Sequence, residues 1–349
     1  MQIRQQAISR ALSQLPQALL LSLRNHLEIW ATVVVVLAAA SFMLSRGTGF
    51  SITLMTVFAI WAMLAVSLNL VLGYTGLLSV GHVGFYGIGA YTVAALTANP
   101  RQELLEGEII QIFAWPFFAA LPVAVALCGV VAFVVGVAFS RFRDDVYVLV
   151  SFGFAIIAYN VFVNWQWVTR GPFGIHQIPK PAIFGYTIND DLEFLVLTLA
   201  FLAIVVGISW LIVTSSFGRV LKAVREDEDA IEVFGYRSSR YKLAIWVISA
   251  MMAGLAGAML ATYTSFVDPN SFILLESILL VAIVILGGLA SIWGSLLGAL
   301  AFVLLEEGVR FVPFLPPEHV GQVRQIILGT LLVLLMLFRP QGVAGRFKL

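Results

Sequence analysis

A succession of nearly uncharged apolar runs, each about 20 residues long, most limits what this chain can fold into. A helix rises ~1.5 Å per residue, so such a run just crosses a hydrocarbon layer ~30 Å thick. The runs occupy residues 27–44, 51–72, 76–98, 112–139, 146–164, 192–213 and 243–263, followed by a long tract over 272–305 and a last run over 322–338. As one continuous helix the long tract would measure roughly 50 Å, more than a bilayer needs. It contains the adjacent breakers Gly287 and Gly288, so it divides into two segments. The expectation is an all-α polytopic membrane bundle of about ten spans, some broken or re-entrant. Composition points the same way: 60% hydrophobic and 11% charged residues give a mean hydropathy of +0.98, beyond what a soluble core can bury.

The cationic residues orient the spans. With ten segments, one side of the membrane holds Arg4, Arg10, Arg24, Arg141, Arg143, Arg219, Lys222, Arg225, Arg237, Arg240, Lys242, Arg339, Arg346 and Lys348. The other keeps only Arg46, Arg101, Arg170, Lys180, Arg310 and Arg324. The positive-inside rule makes the first side, with both termini, cytoplasmic. Residues 1–26 form an N-terminal cytoplasmic segment, 27–338 the membrane domain and 339–349 a cytoplasmic tail. No cleavable signal is expected, and the first span acts as an uncleaved anchor. A net charge of +1 argues against nucleic-acid binding. The single cysteine, Cys128, permits neither an intrachain disulfide nor a cysteine metal cluster and reads as a packing residue.

Two glycine-rich interruptions stand out. GYTGLLSVGHVGFYGIGAY at 73–91 places Ser79, Gly81 and His82 inside a weakened helix. ILGGLASIWGSLLGALAF at 285–302 places Gly287, Gly288 and Ser291 in a similar setting, and Gly76-Leu77-Leu78-Ser79 resembles Gly288-Leu289-Ala290-Ser291. Paired interruptions in the two halves of a transporter point to a substrate path. Two readings stay open: helix breaks that line the path near mid-membrane, or small residues that let helices pack closely. Glu276, early in its span, is either a path residue or a carboxylate reaching interfacial water. Asn160, Asn164, Trp165 and Trp167 close another span, the tryptophans as an aromatic belt.

The connection over 214–242 is the most specific feature. Val220, Leu221, Val224, Ile231 and Phe234 recur at helical spacing among charges, and Gly235 is placed to end the helix. An amphipathic cytoplasmic helix over 219–234 is expected, with a solvated charged loop as the alternative. The chain has no G-x-x-x-x-G-K-[ST] phosphate loop, no H-E-x-x-H and no serine-elbow motif, so it carries no recognisable catalytic chemistry and no cofactor of its own.

The stretches GRVLKAVREDEDAIEVFGYRSSRYKLAIWVISAMMAGLAGAML, GLLSVGHVGFYGIGAY, TRGPFGI, ILGGLASIWGSLLGALAFVLLEE and LFRPQGVAG resemble, in order, the LivM-type permeases of branched-chain amino acid ABC importers. The resemblance covers about residue 50 to the end and is weaker over 1–26. It implies a bacterial inner-membrane permease working with a second, homologous permease, two cytoplasmic ABC ATPases that bind ATP and magnesium, and a periplasmic amino-acid-binding protein. ABC import permeases dock their ATPase through a motif spaced E-A-A-x-x-x-G. Asp229, Ala230, Ile231 and Gly235 match that spacing, with Asp for Glu and Ile for the second Ala. The resemblance therefore makes Asp229, Ala230, Ile231, Phe234 and Gly235 the coupling candidates. On the outer loop 165–191, Arg170 and Lys180 are candidates for docking the binding protein. A urea or short-chain amide permease shares the scaffold, though TRGPFGI favours the amino acid branch. An ion-coupled secondary transporter is the alternative of a different class, but it would need ionisable residues deep in several spans, where only Glu276 and His82 offer themselves.

Overall fold

The structure, a computed structural model, describes residues 48–98, 114–140, 142, 144–183 and 186–310, with helical positions 322, 323, 326, 327, 329, 330, 333 and 337. The expected N-terminal segment, the first span at 27–44, most of the last span and the tail at 339–349 lie outside the described residues. The chain divides into two units, Met1–Ser51 and Ile52–Leu349, and the helix bundle is built by the second.

Eleven α-helices are described. The first five are α1 (Thr48–Thr75), α2 (His82–Thr97), α3 (Phe117–Phe139), α4 (Asp144–Asn164) and the short α5 (Gln166–Thr169). After a small-stranded region come α6 (Asp191–Thr214), α7 (Ser216–Glu226), α8 (Glu228–Val233) and α9 (Ser238–Thr264). The last two are α10 (Leu274–Gly287) and α11 (Ile292–Arg310). Helix boundaries follow the apolar runs closely because apolar backbone in lipid must satisfy its hydrogen bonds internally. Stretches long and apolar enough to cross a membrane lie in α1, α3, α4, α6 and α9. By contrast α10 has 14 residues, about 21 Å, which is short of a full crossing.

Burial sorts the helices. In their most apolar stretch α1 and α9 are 83% and 61% buried, while α3, α4 and α6 are 33%, 33% and 22% buried. Outward-facing Val130, Val134, Leu149, Ile157, Trp210 and Leu211 would be costly in water and are at home in lipid. Inside, α2 lies against α9 so closely that a Cβ on Gly89 would sit 2.1 Å from the Gly254 carbonyl oxygen. Phe85 stacks on Phe154 at 4.7 Å and meets Trp246 edge-on at 5.3 Å, fastening α2, α4 and α9 together.

One end of the bundle carries α7, α8 and the start of α9. The opposite end carries two small antiparallel sheets: β1 (Ile175–His176) pairs with β4 (Phe266–Val267), and β2 (Ala182–Ile183) with β3 (Tyr186–Thr187). These pairings were not expected from sequence, since two-residue strands leave no alternation to read. The expected amphipathic helix over 219–234 is two helices. Asp227 adopts an extended backbone, with φ of −157°, and its side chain accepts from the Ala230 N–H at 2.9 Å. An aspartate that caps a new helix ends the old one.

Candidate functional site

The two glycine-rich interruptions contain both helix breaks and glycines that serve close packing. Residues 76–81 are non-helical and separate α1 from α2, and residues 288–291 separate α10 from α11. Gly84, Gly87 and Gly89, within α2, face Phe154, Phe162 and Gly254 and serve close packing.

The end of α1, just before the first break, meets the second break. Asn69, fully buried on α1, donates through Nδ2 to the Ser291 carbonyl at 2.8 Å and to Ser295 Oγ at 2.7 Å. Its Oδ1 accepts from the Ala290 N–H at 3.1 Å. One turn on, Gly73 lies so near the second break that a Cβ there would stand 2.5 Å from Ala290 N. Only glycine allows that approach. Gly288, with φ of 119°, and Ala290, with φ of 57°, turn the chain between α10 and α11, and Ser291 Oγ accepts from Gly294 N at 3.0 Å.

Polar groups of the first break lie in the interior. Val80 N donates to Ser151 Oγ of α4 at 3.1 Å, and Gly81 rests against the Ser151 carbonyl. His82 Nε2 lies 2.8 Å from Ser67 Oγ. Since the Ser67 hydroxyl donates to the Leu64 carbonyl at 2.7 Å, the imidazole donates here and its Nδ1 is left as an acceptor. That Nδ1 and the fully buried Ser79 Oγ have no hydrogen-bond partner among the described residues. Glu276 lies at the other end of α10 from Gly287. It stands in the first turn of α10, where a carboxylate complements the helix dipole, and 11 residues separate it from Gly287, about 16 Å of helix.

The coupling candidates gather on α8. Lys242 Nζ bonds Glu228 Oε2 at 2.5 Å, and the Ser238 hydroxyl donates to Glu232, so α8 is held on the start of α9. Asp229 and Ala230 face outward, Ile231 is half-buried, and Val233 and Phe234 are 87% and 79% exposed. Gly235 has φ of 88°. Its N–H donates to the Glu232 carbonyl at 3.0 Å, and Tyr236 N–H donates to the Ile231 carbonyl at 3.3 Å. This is a Schellman stop, which accounts for the glycine.

The preceding α7 faces inward with Leu221 and Val224 buried. Its Arg225 guanidinium donates to the Gly73 carbonyl. Burial pulls the guanidinium pKa down from its ordinary value, an effect that neighbouring Glu226 opposes, and an arginine so placed stays charged. At the other end of the bundle, Arg170 adopts a left-handed conformation, with φ of 59°, between α5 and the turn Gly171–Phe173. Lys180 Nζ bonds the Asn189 carbonyl at 2.9 Å and lies 3.4 Å from Asp191 Oδ1. Arg170 and Lys180 thus sit far along the chain and across the fold from α8.

Sequence reasoning missed Asn69, Ser67 and Arg225. The usable signal for Asn69 was an amide inside an apolar run, but nothing local named a partner beyond position 289. Arg225 read as one of several loop cations because its acceptor is a backbone carbonyl, which no side-chain pattern marks.

Comparison with known proteins places this geometry. Residues 50–336 match the family model described as the branched-chain amino acid transport system / permease component. The chain is 34% identical over 340 residues to the high-affinity branched-chain amino acid transport system permease protein LivM of Escherichia coli K12, covering 90% of this chain and 74% of that one. It is 24% identical over 300 residues to the permease protein BraD of Pseudomonas aeruginosa, covering 84% and 94%. It is 25% identical over 301 residues to LivH of E. coli K12, covering 82% and 91%. No solved structure matches. With a helical membrane bundle and a family match over most of its length, the chain belongs to the permease components of branched-chain amino acid transport systems.

Proposed function

We propose that this permease forms one half of a heterodimeric pore in an ATP-driven importer of branched-chain and other neutral aliphatic amino acids. It sits in a bacterial inner membrane with ten segments and both termini cytoplasmic. A homologous permease completes the pore, a periplasmic protein delivers substrate at the end bearing Arg170 and Lys180, and two ATPase subunits bind ATP and magnesium at the end bearing α8. Ser79, Gly81, His82, Gly287, Gly288 and Ser291 line or shape the path, with Glu276 nearer its outer mouth. The observation that carries the reading is α8: clamped to α9 by Lys242–Glu228, it turns an apolar tip, Val233 and Phe234, into solvent. Such a tip suits a groove on a partner, and Asp229, Ala230, Ile231 and Gly235 keep the spacing of the ATPase-docking motif.

The test is uptake by proteoliposomes holding this chain, the second permease, both ATPases and the binding protein. Leucine should enter only with ATP. Gly235→Val meets no steric obstacle, since nothing lies within 4 Å of a Cβ there. It instead forces a β-branched residue into a left-handed backbone at a cost of about 1–2 kcal/mol. ATPase association should fall about tenfold while the permease remains inserted. Normal association and uptake in that variant would remove α8 from the coupling role, and ATP-driven uptake of urea in place of leucine would move the protein to the amide branch.

A further inference from the structure

The last four carbonyls of an α-helix have no partner within it. In α1, which ends at Thr75, the Gly73 carbonyl is one of these, and its partner is the Arg225 guanidinium from α7. A cation at a helix C-terminus gains from the helix dipole as well as from the hydrogen bond. The hold extends along the chain. Arg225 Cγ lies 3.0 Å from where a Cβ on Gly76 would be, and Lys222 Nζ stands 5.6 Å from the centre of the Tyr74 ring. Residues 73–76 are thus gripped by one face of α7. On its other side Gly73 abuts Ala290, and Asn69 ties the same stretch of α1 to Ala290, Ser291 and Ser295.

We propose that Arg225 is a positioning residue, a latch that fixes both helix breaks to α7 so that displacing α7 from the ATPase side rearranges the two breaks together. The inference rests on the reading of the chain as an ATP-driven permease. Arg225 touches no substrate and acts through the end of α1. Nearby packing of Leu221 and Val224 sets where α7 lies, whereas Arg225 sets what moves with it.

Two measurements on the full reconstituted complex test this. In Arg225→Gln, assembly and basal ATP hydrolysis are retained, and uptake per ATP falls about tenfold, within the usual range of coupling between sites. Arg225→Lys, which keeps the cation at the helix end, recovers part of that loss. A variant with Lys222→Cys and Tyr74→Cys, linked by a short cleavable bifunctional thiol reagent, closes readily without nucleotide. Uptake continues with the link closed, because α7 and the end of α1 move as one. Parental uptake per ATP in Arg225→Gln, or a loss of uptake on closing the link that its cleavage reverses, overturns the latch while leaving the importer reading intact. Absence of ATP-driven uptake in the parental complex overturns the importer reading and the latch with it.

Discussion

Asn69 joins residues more than 220 positions away in sequence and does so with both ends of its amide. A polar group in an apolar interior is tolerated when its donors and acceptor are filled, and here they are filled by Ala290 N, the Ser291 carbonyl and Ser295 Oγ. Asn69→Leu keeps the side-chain size but strips the Ala290 N–H of this acceptor in a buried place. The expected loss is about 1–3 kcal/mol, read as a lower unfolding midpoint of the detergent-solubilised protein. An unchanged midpoint would show that the junction holds without the amide. Gly73, one turn later, illustrates the opposite strategy: a missing side chain is what lets the second break approach.

Among the elements, α10 and α11 form a hairpin whose faces meet through glycine. A Cβ on Gly287 would lie 2.0 Å from the Gly294 carbonyl oxygen, and one on Gly298 would lie 2.2 Å from the Ile283 carbonyl oxygen. These contacts involve backbone on both sides, so no side chain can rotate away to make room. Gly298→Val must splay the hairpin, at about 1–3 kcal/mol, and a drop in the unfolding midpoint checks this. Gly207 of α6, with nothing within 4 Å of its Cβ position, supplies the control, since Gly207→Ala should leave the midpoint unchanged or raise it. The division of the coupling segment into α7 and α8 belongs to this scale too. It separates an inward helix that touches the end of α1 from an outward one that meets solvent, and Asp227 makes the division.

For the molecule as a whole, α1 and α9 are mostly buried, whereas α3, α4 and α6 turn apolar faces outward. The two ends then differ in chemistry: cations and an apolar tip at one, small sheets and the Lys180–Asp191 pair at the other. On the proposed assembly the sheet end receives the binding protein. Lys180→Glu places a carboxylate beside Asp191 and reverses the local charge. Association of the binding protein with the proteoliposomes should slow several-fold at low salt, and the difference should fade as the screening length falls from about 10 Å at 0.1 M to about 3 Å at 1 M. An effect of equal size at both salts would mean that the substitution disturbs the loop and not the encounter.

Sequence alone determined that α1, α3, α4, α6 and α9 are helices apolar and long enough to cross a membrane, because apolar length is a property of consecutive residues and lipid leaves the backbone no option but the helix. It also marked both breaks and the stop at Gly235, whose positive φ is a local consequence of ending a helix. Local pattern could not divide the glycines of 73–91 between a break and a packing face, nor detect that Asp227 splits the coupling helix. Tertiary structure decided that Asn69 and Gly73 of α1 meet the second break and that Arg225 caps α1. Those contacts join residues 152 to 226 positions apart and end largely on backbone groups, which every residue possesses and no sequence pattern distinguishes.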